Sequence, residues 1–172
     1  MQLGIVGLGR MGAFMAQRLI RSGHTVTGFV RHAERIQELL KEGSITEGAS
    51  SLEDMVSKLS RVASTEAAGT IVPHLDPGDI VIDGGNSYYH DDIRRAAELK
   101  PKGIHYVDCG TSGGVWGLER GYCLMIGGEE DVVKHLDPIF STLAPGLDAA
   151  TRHPGQARLR QCSCLACGAP QA

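Results

Sequence analysis

The chain has 172 residues, a net charge of −3, 42% hydrophobic and 22% charged residues. That balance suits one domain with a real core and excludes disorder throughout. Lys and Arg are scattered, so no basic stripe exists to neutralise a row of phosphates, and nucleic acid is excluded as a partner. No apolar run approaches membrane-spanning length and no basic-then-apolar leader opens the chain, which predicts a soluble, cytoplasmic protein without a membrane partner.

In chain order, Gln2 to Val6 is a short apolar run that leads into Gly7-Leu8-Gly9-Arg10-Met11-Gly12. Phe14, Met15, Leu19 and Ile20 then recur at helical spacing until Ser22-Gly23 stops the helix. Thr25 to Val30 is rich in β-branched residues and reads as a second strand. Ala33 to Lys41 predicts a helix with Ile36, Leu39 and Leu40 inward and Gly43 as its stop. A short strand is expected near Ile45, and Ser50 with Glu53 forms a capping box for a helix through about Leu59. The stretch from about 61 to 70, where a doubly wound fold needs a buried strand, has little apolar content and predicts a degraded or short one.

Asp76-Pro77-Gly78-Asp79 reads as a turn, and Ile80-Val81-Ile82-Asp83 as a buried parallel strand. Asp91 to Lys100 predicts a helix, Ile104 to Cys109 and Cys123 to Ile126 predict strands, and Glu129 to Leu143 predicts one long helix. The fold expected is α/β, a doubly wound Rossmann-type parallel sheet filling residues 1–150. Residues 151–172 have no periodicity and read as an irregular tail unrelated to it. There are no internal repeats.

Of five cysteines, Cys109 and Cys123 lie in strand-like stretches and read as small buried hydrophobes. The odd total of five argues against a disulfide framework. Cys162, Cys164 and Cys167 crowd the tail; with His153 they have the donor types of a zinc site, but the short irregular segment favours a frameshift-like or chimeric end with no metal.

The glycine fingerprint sits in the context its chemistry needs, after a strand and opening an amphipathic helix. Gly7 permits the tight turn and Gly9 lets backbone approach a pyrophosphate. Gly12 lets helix and strand pack closely, and the helix N-terminus presents free N–H groups. Leu8, Arg10 and Met11 complete the loop. At the end of the second strand an NAD site usually carries Asp or Glu, whereas this chain has Val30-Arg31-His32 and no carboxylate until Glu34. Arg31 can fork onto a phosphate and His32 can add a donor, which favours NADP, with NAD as the alternative.

Three segments carry a resemblance. Gly7-Leu8-Gly9-Arg10-Met11-Gly12, Ile82-Asp83-Gly84-Gly85-Asn86-Ser87 and Asp108-Cys109-Gly110-Thr111-Ser112-Gly113-Gly114 resemble the 6-phosphogluconate dehydrogenase family, and Val115-Trp116-Gly117 and Met125-Ile126-Gly127-Gly128 continue the likeness. The resemblance covers about residues 1–150 and implies an NADP-binding domain of a decarboxylating oxidoreductase of the pentose phosphate pathway and gluconate utilization. It implies that Asn86 touches both cofactor and substrate, and that Ser112, Gly113 and Gly114 bind the sugar acid. In the family a Lys removes the C3 hydroxyl proton as hydride passes to NADP. The 3-keto acid then loses carbon dioxide, and a Glu protonates the enediol to give ribulose 5-phosphate. Family members are homo-oligomers that borrow substrate contacts from a partner subunit.

The chain departs from the family at three places. Phe14 stands where the family usually has Asn, and Val62 to Ile71 is shorter and more polar than the segment that walls the nicotinamide pocket. The Gly-rich helix with the catalytic Lys and a second Asn, and the helical domain after it, are not in this sequence. No catalytic residue is therefore nominated, and the chain alone is expected to be inactive. Two other functions compete: a different β-hydroxyacid dehydrogenase domain, and a nucleotide-binding module that never catalyses. His32 and His90 have no partner pattern, so structural roles compete with functional ones at both.

Overall fold

The alternation of apolar runs and amphipathic segments becomes one seven-stranded sheet in the computed structural model, which describes residues 1–59, 62–65 and 68–146. The strands are β1 (Gln2–Val6), β2 (Thr25–Phe29), β3 (Glu47–Ala49), β4 (Val62–Thr65), β5 (Ile80–Asp83), β6 (His105–Ser112) and β7 (Cys123–Gly127). Their order is β3-β2-β1-β4-β5-β6-β7, parallel throughout except for β7, which runs antiparallel to β6. The helices are α1 (Arg10–Arg21), α2 (Ala33–Lys41), α3 (Leu52–Ser57), α4 (Ala68–Ile71), α5 (Tyr89–Leu99), α6 (Gly117–Arg120), α7 (Glu130–His135) and α8 (Asp137–Leu143).

Period-two alternation in the strands divides the core between the two faces of the sheet. Leu3, Ile5, Ile80, Ile82 and Val107 pack with Ala13, Ala16 and Leu19 of α1, Leu39 of α2, and Ile139 and Phe140 of α8. Val81 and Tyr106 face the other way, onto Met55 of α3, Ile71 of α4 and Leu99 of α5. Each such aliphatic side chain, fully buried, contributes about 1.5–3 kcal/mol. β5 is buried along its whole length.

The doubly wound class is as expected, with local differences. The segment from about 61 to 70 does contain a strand. β4 spans four residues, as many as the apolar β5, and lies mid-sheet, paired with β1 and β5. The third strand lies at Glu47–Ala49, just beyond Ile45, which is buried in the approach to it. The cap of α3 is Ser51 rather than Ser50: its hydroxyl accepts the Asp54 N–H at 3.0 Å, because Ser51 is the last extended residue before the helix. Asp54 takes the place expected for Glu53, reaching back to the N–H of Ser50 at 2.8 Å. The long helix over 129–143 is instead α7 and α8, broken at Leu136. Pro138, which has no N–H for the carbonyl one turn earlier, opens the second piece. Cys109 is buried, but Cys123 is exposed, since β7 is an edge strand whose outward face carries Cys123 and Met125. The expected tail at 151–172, with Cys162, Cys164, Cys167 and His153, lies outside the described residues. Among the described residues no cluster of His, Cys, Asp or Glu has the makings of a metal site, and no helix is long and apolar enough to cross a membrane.

Candidate dinucleotide and substrate site

Parallel pairing fixes where the site must be. Phe29, Val6, Thr65, Asp83 and Asp108 stand in one row across five strands, since Val6 pairs with Phe29 and Thr65, Thr65 with Asp83, and Asp83 with Asp108. That row marks the carboxyl edge of the parallel sheet, and the loops after β1, β2 and β5 open there. The strand order reverses direction at β1 and β4, the position at which open α/β sheets form a ligand crevice.

The loop after β1 is shaped by backbone alone. Gly7 has φ of +92°, a left-handed value that a side chain resists. A Cβ on Gly12 would collide with the Gly7 carbonyl oxygen, so the first turn of α1 can pack against the loop only with glycine there. Gly9, by contrast, faces open space: a Cβ there would meet nothing within 4 Å. Gly9 is also the N-cap of α1, with no side chain capping the helix and no acidic residue in its first turn. The result is a helix end with open N–H groups and a positive dipole end, a cradle that fits a pyrophosphate. Leu8 is buried beneath the loop, Arg10 is exposed and Met11 half-buried at its mouth. Phe14 lies on α1 and is half-buried.

Arg31 and His32 follow β2 at the same edge, both exposed. Arg35, one turn on, is committed to Glu38 at 2.7 Å and Glu42 at 3.2 Å. Among the described residues no carboxylate engages Arg31, which leaves its guanidinium open to an incoming anion.

The loop after β5 is built differently. The Asp83 carboxylate is 1% exposed. Its Oδ1 accepts the Gly85 N–H at 2.9 Å, and its Oδ2 accepts the Ser87 hydroxyl at 3.0 Å. Asn86 stands between these two tied residues and is itself exposed. From behind, the Tyr106 hydroxyl lies 2.9 Å from both Asp83 Oδ2 and Asp92 Oδ1, and Arg95 Nη1 reaches the same two oxygens at 3.3 and 3.2 Å. Burial pushes the Tyr106 phenol well above its ordinary range, so its proton stays available for donation. The Asp108 carboxyl, in register with Asp83, is also raised, chiefly by burial and then by Asp92 and Asp83.

β6 extends past the carboxyl edge and ends at Ser112, beside the loop that carries Asn86. Gly113 and Gly114 have φ of +149° and +53°, values that turn the backbone sharply and expose both glycines and Ser112. Trp116 follows, largely exposed, with the Arg120 guanidinium 5.5 Å from its ring. Arg18 of α1 ties down two neighbouring elements: its guanidinium donates to the carbonyl of Leu118 in α6 (3.2 Å) and to those of Thr142 (2.7 Å) and Ala144 (2.9 Å) at the end of α8.

The structure thus brings Gly7–Gly12, Arg31, His32, Asn86 and Ser112–Gly114 to one edge. His90 is there too, stacked with Tyr89 at a centroid distance of 4.0 Å. Lysine does not join them. Lys41 and Lys100 end helices that return to the opposite edge, and Lys102 follows there. Lys58 is paired with Asp54 and Glu47, and Lys134 with Glu130. No local pattern marks the Asp83–Asp92–Arg95–Tyr106 cluster, although Asp83 stands inside the Ile82–Ser87 motif.

These elements define a dinucleotide-binding domain of the doubly wound class. A family model described as the NAD binding domain of 6-phosphogluconate dehydrogenase matches residues 2–153, and the chain belongs to that family. It is 40% identical over 159 residues to an NAD(+)-dependent, decarboxylating 6-phosphogluconate dehydrogenase of Haloferax volcanii, covering 86% of this chain and 52% of that one. It is 39% identical over 156 residues to the decarboxylating 6-phosphogluconate dehydrogenase of Mus musculus, covering 83% of this chain and 32% of the other. The chain spans about half the length of the first relative and about a third of the second. Among solved structures, Plasmodium falciparum 6-phosphogluconate dehydrogenase superposes with a TM-score of 0.77 at 25% identity, over 87% of this chain and 35% of that one. That enzyme has been determined in its apo form, with NADP+ and with 6-phosphogluconate.

Proposed function

We propose that residues 1–150 are the NADP-binding domain of a cytoplasmic 6-phosphogluconate dehydrogenase, with residues 151–172 an appendage outside it. The observation that carries the reading is the meeting of three elements at one sheet edge: the open helix end at Gly9, the exposed Asn86, and the Ser112–Gly114 turn on the neighbouring strand. Gly7, Leu8, Gly9, Arg10, Met11 and Gly12 would hold the pyrophosphate on backbone N–H groups. Arg31 and His32 would hold the 2′-phosphate. The Asn86 amide both donates and accepts, so it can bridge substrate hydroxyl and nicotinamide. The exposed turn at Ser112, Gly113 and Gly114 offers a hydroxyl and main-chain N–H groups to a sugar-acid carboxylate. When bound, NADP supplies the hydride acceptor for oxidation of 6-phosphogluconate.

Among the described residues no lysine stands at this edge to act as base. Loss of a general base alone costs roughly 100- to 10,000-fold. Purified protein is therefore expected to bind NADP without oxidising 6-phosphogluconate, followed as absorbance of NADPH with a full-length relative as control. Turnover within about a thousandfold of that control, roughly 4 kcal/mol in barrier, would refute the assignment of roles. NAD is the competing cofactor, favoured by the named NAD(+) dependence of the Haloferax relative. Titration with NADPH and NADH decides between them.

A further inference from the structure

We propose that Asp83 is a positioning residue for Asn86, and that Tyr106, Arg95 and Asp92 hold Asp83 in place for that purpose; the proposal rests on the reading of Asn86 as a cofactor contact. Asp83 is the last residue of β5, so its backbone belongs to the rigid sheet. Its carboxylate turns forward into the following loop and ties residues on both sides of Asn86, the Gly85 N–H at 2.9 Å and the Ser87 hydroxyl at 3.0 Å. A loop of four residues held at its second and fourth positions leaves its third little freedom, and that third residue is Asn86.

The cluster behind the carboxylate fixes its orientation toward the loop. Oδ2 is held at 2.9 Å by Tyr106 of β6 and at 3.3 Å by Arg95 of α5. Asp92, in the first turn of α5, lies within reach of both groups as well, at 2.9 and 3.2 Å, and shares the single Tyr106 proton with Asp83. Three elements, β5, β6 and α5, therefore converge on one carboxylate. A buried charge cluster of this kind is weak evidence for stability, because hydrophobic residues of like volume often serve as well. What a hydrophobic replacement could not supply is an oriented acceptor for Gly85 and Ser87.

The test separates positioning from bulk stability by using two ligands: NADPH, and 2′-phospho-ADP-ribose, which lacks the nicotinamide end. Each is titrated into the wild-type chain and into the Asn86→Ala, Ser87→Ala, Asp83→Asn and Tyr106→Phe variants, with melting temperature measured alongside. Ser87→Ala removes only a loop tie from a half-buried hydroxyl and leaves the core intact. The expected result is an NADPH affinity lowered about tenfold in Ser87→Ala and in Asp83→Asn, approaching that of Asn86→Ala, and lowered less in Tyr106→Phe, with 2′-phospho-ADP-ribose affinity unchanged. Such a tenfold loss corresponds to about 1.4 kcal/mol. Two results would overturn the proposal: loss of affinity for both ligands in parallel with melting temperature, or an effect of Asn86→Ala that the other three variants do not share. If Asn86→Ala leaves NADPH binding intact, the reading of Asn86 itself fails and takes the proposal with it.

Discussion

Two loops at the carboxyl edge of the same sheet are shaped by opposite means. The Gly7–Gly12 loop has no side-chain cap, one left-handed glycine and open space beside Gly9. The Gly84–Ser87 loop is held by a buried carboxylate whose other partners lie on α5 and β6. The difference fits the roles proposed for them. A diphosphate is recognised by bare N–H groups and a helix end, so side chains have to be absent. A directional amide such as that of Asn86 is useful only at a defined position, so its backbone has to be fastened.

The strongest way to break this contrast is at Asp83. Asp83→Ala should destabilise the fold by about 3 kcal/mol, because the Gly85 N–H and the Ser87 hydroxyl lose their charged acceptor and Tyr106 and Arg95 each lose one contact, while the Arg95–Asp92 pair remains. Denaturant unfolding measures this; a change under 1 kcal/mol would show that the cluster holds nothing. At the backbone-shaped loop the largest effect belongs to Gly12. Gly12→Val should cost about 2–3 kcal/mol by driving α1 off the Gly7 carbonyl, and a melting temperature equal to wild type would contradict that packing.

A smaller, ligand-selective effect is expected at Arg31. Arg31→Ala should weaken NADPH by about 1.5–3 kcal/mol, as for a hydrogen bond to a charged group, and leave NADH nearly unchanged. Equal loss for both cofactors would mean that Arg31 does not meet the 2′-phosphate.

The smallest effect tests the acid beside Asp83. The Asp108 carboxyl is raised in the folded protein, by burial first and by Asp92 and Asp83 next. A carboxyl raised on folding costs stability, and the cost appears as pH climbs above its unfolded value of about 3.9. Asp108→Asn should therefore be neutral in acid and slightly stabilising at neutral pH, seen as a melting-temperature difference that grows with pH. A difference that shrinks with pH would reverse the sign of the argument.

The two loops also differed in how readable they were. Gly7, Gly9 and Gly12 announce themselves because glycine spacing is a local signal, and Ile80–Asp83 is an apolar run that only a buried strand explains. β4 was harder, since the paired strands on either side supply the order that Val62–Thr65 does not advertise. The break at Leu136 was written in Pro138 but outweighed by the long helical pattern around it. Ser50 and Ser51 offer the same cap chemistry, and only backbone geometry separates them. The fastening of Asn86 was out of reach, because Tyr106 and Arg95 join Asp83 across 23 and 12 residues of chain.

The central claim is that the open helix end at Gly9 receives the dinucleotide, and one substitution tests it most directly. Gly9 has φ of −67° and ψ of −169°, a conformation any residue adopts, and its missing side chain would meet nothing within 4 Å. Calorimetric titration of NADPH into wild-type protein and Gly9→Val, with melting temperatures recorded for both, therefore separates binding from folding. Saturable binding to the wild type is expected, lost by at least about a hundredfold in Gly9→Val, roughly 2.7 kcal/mol, with melting temperature unchanged. Undiminished NADPH binding by a folded Gly9→Val protein would contradict it.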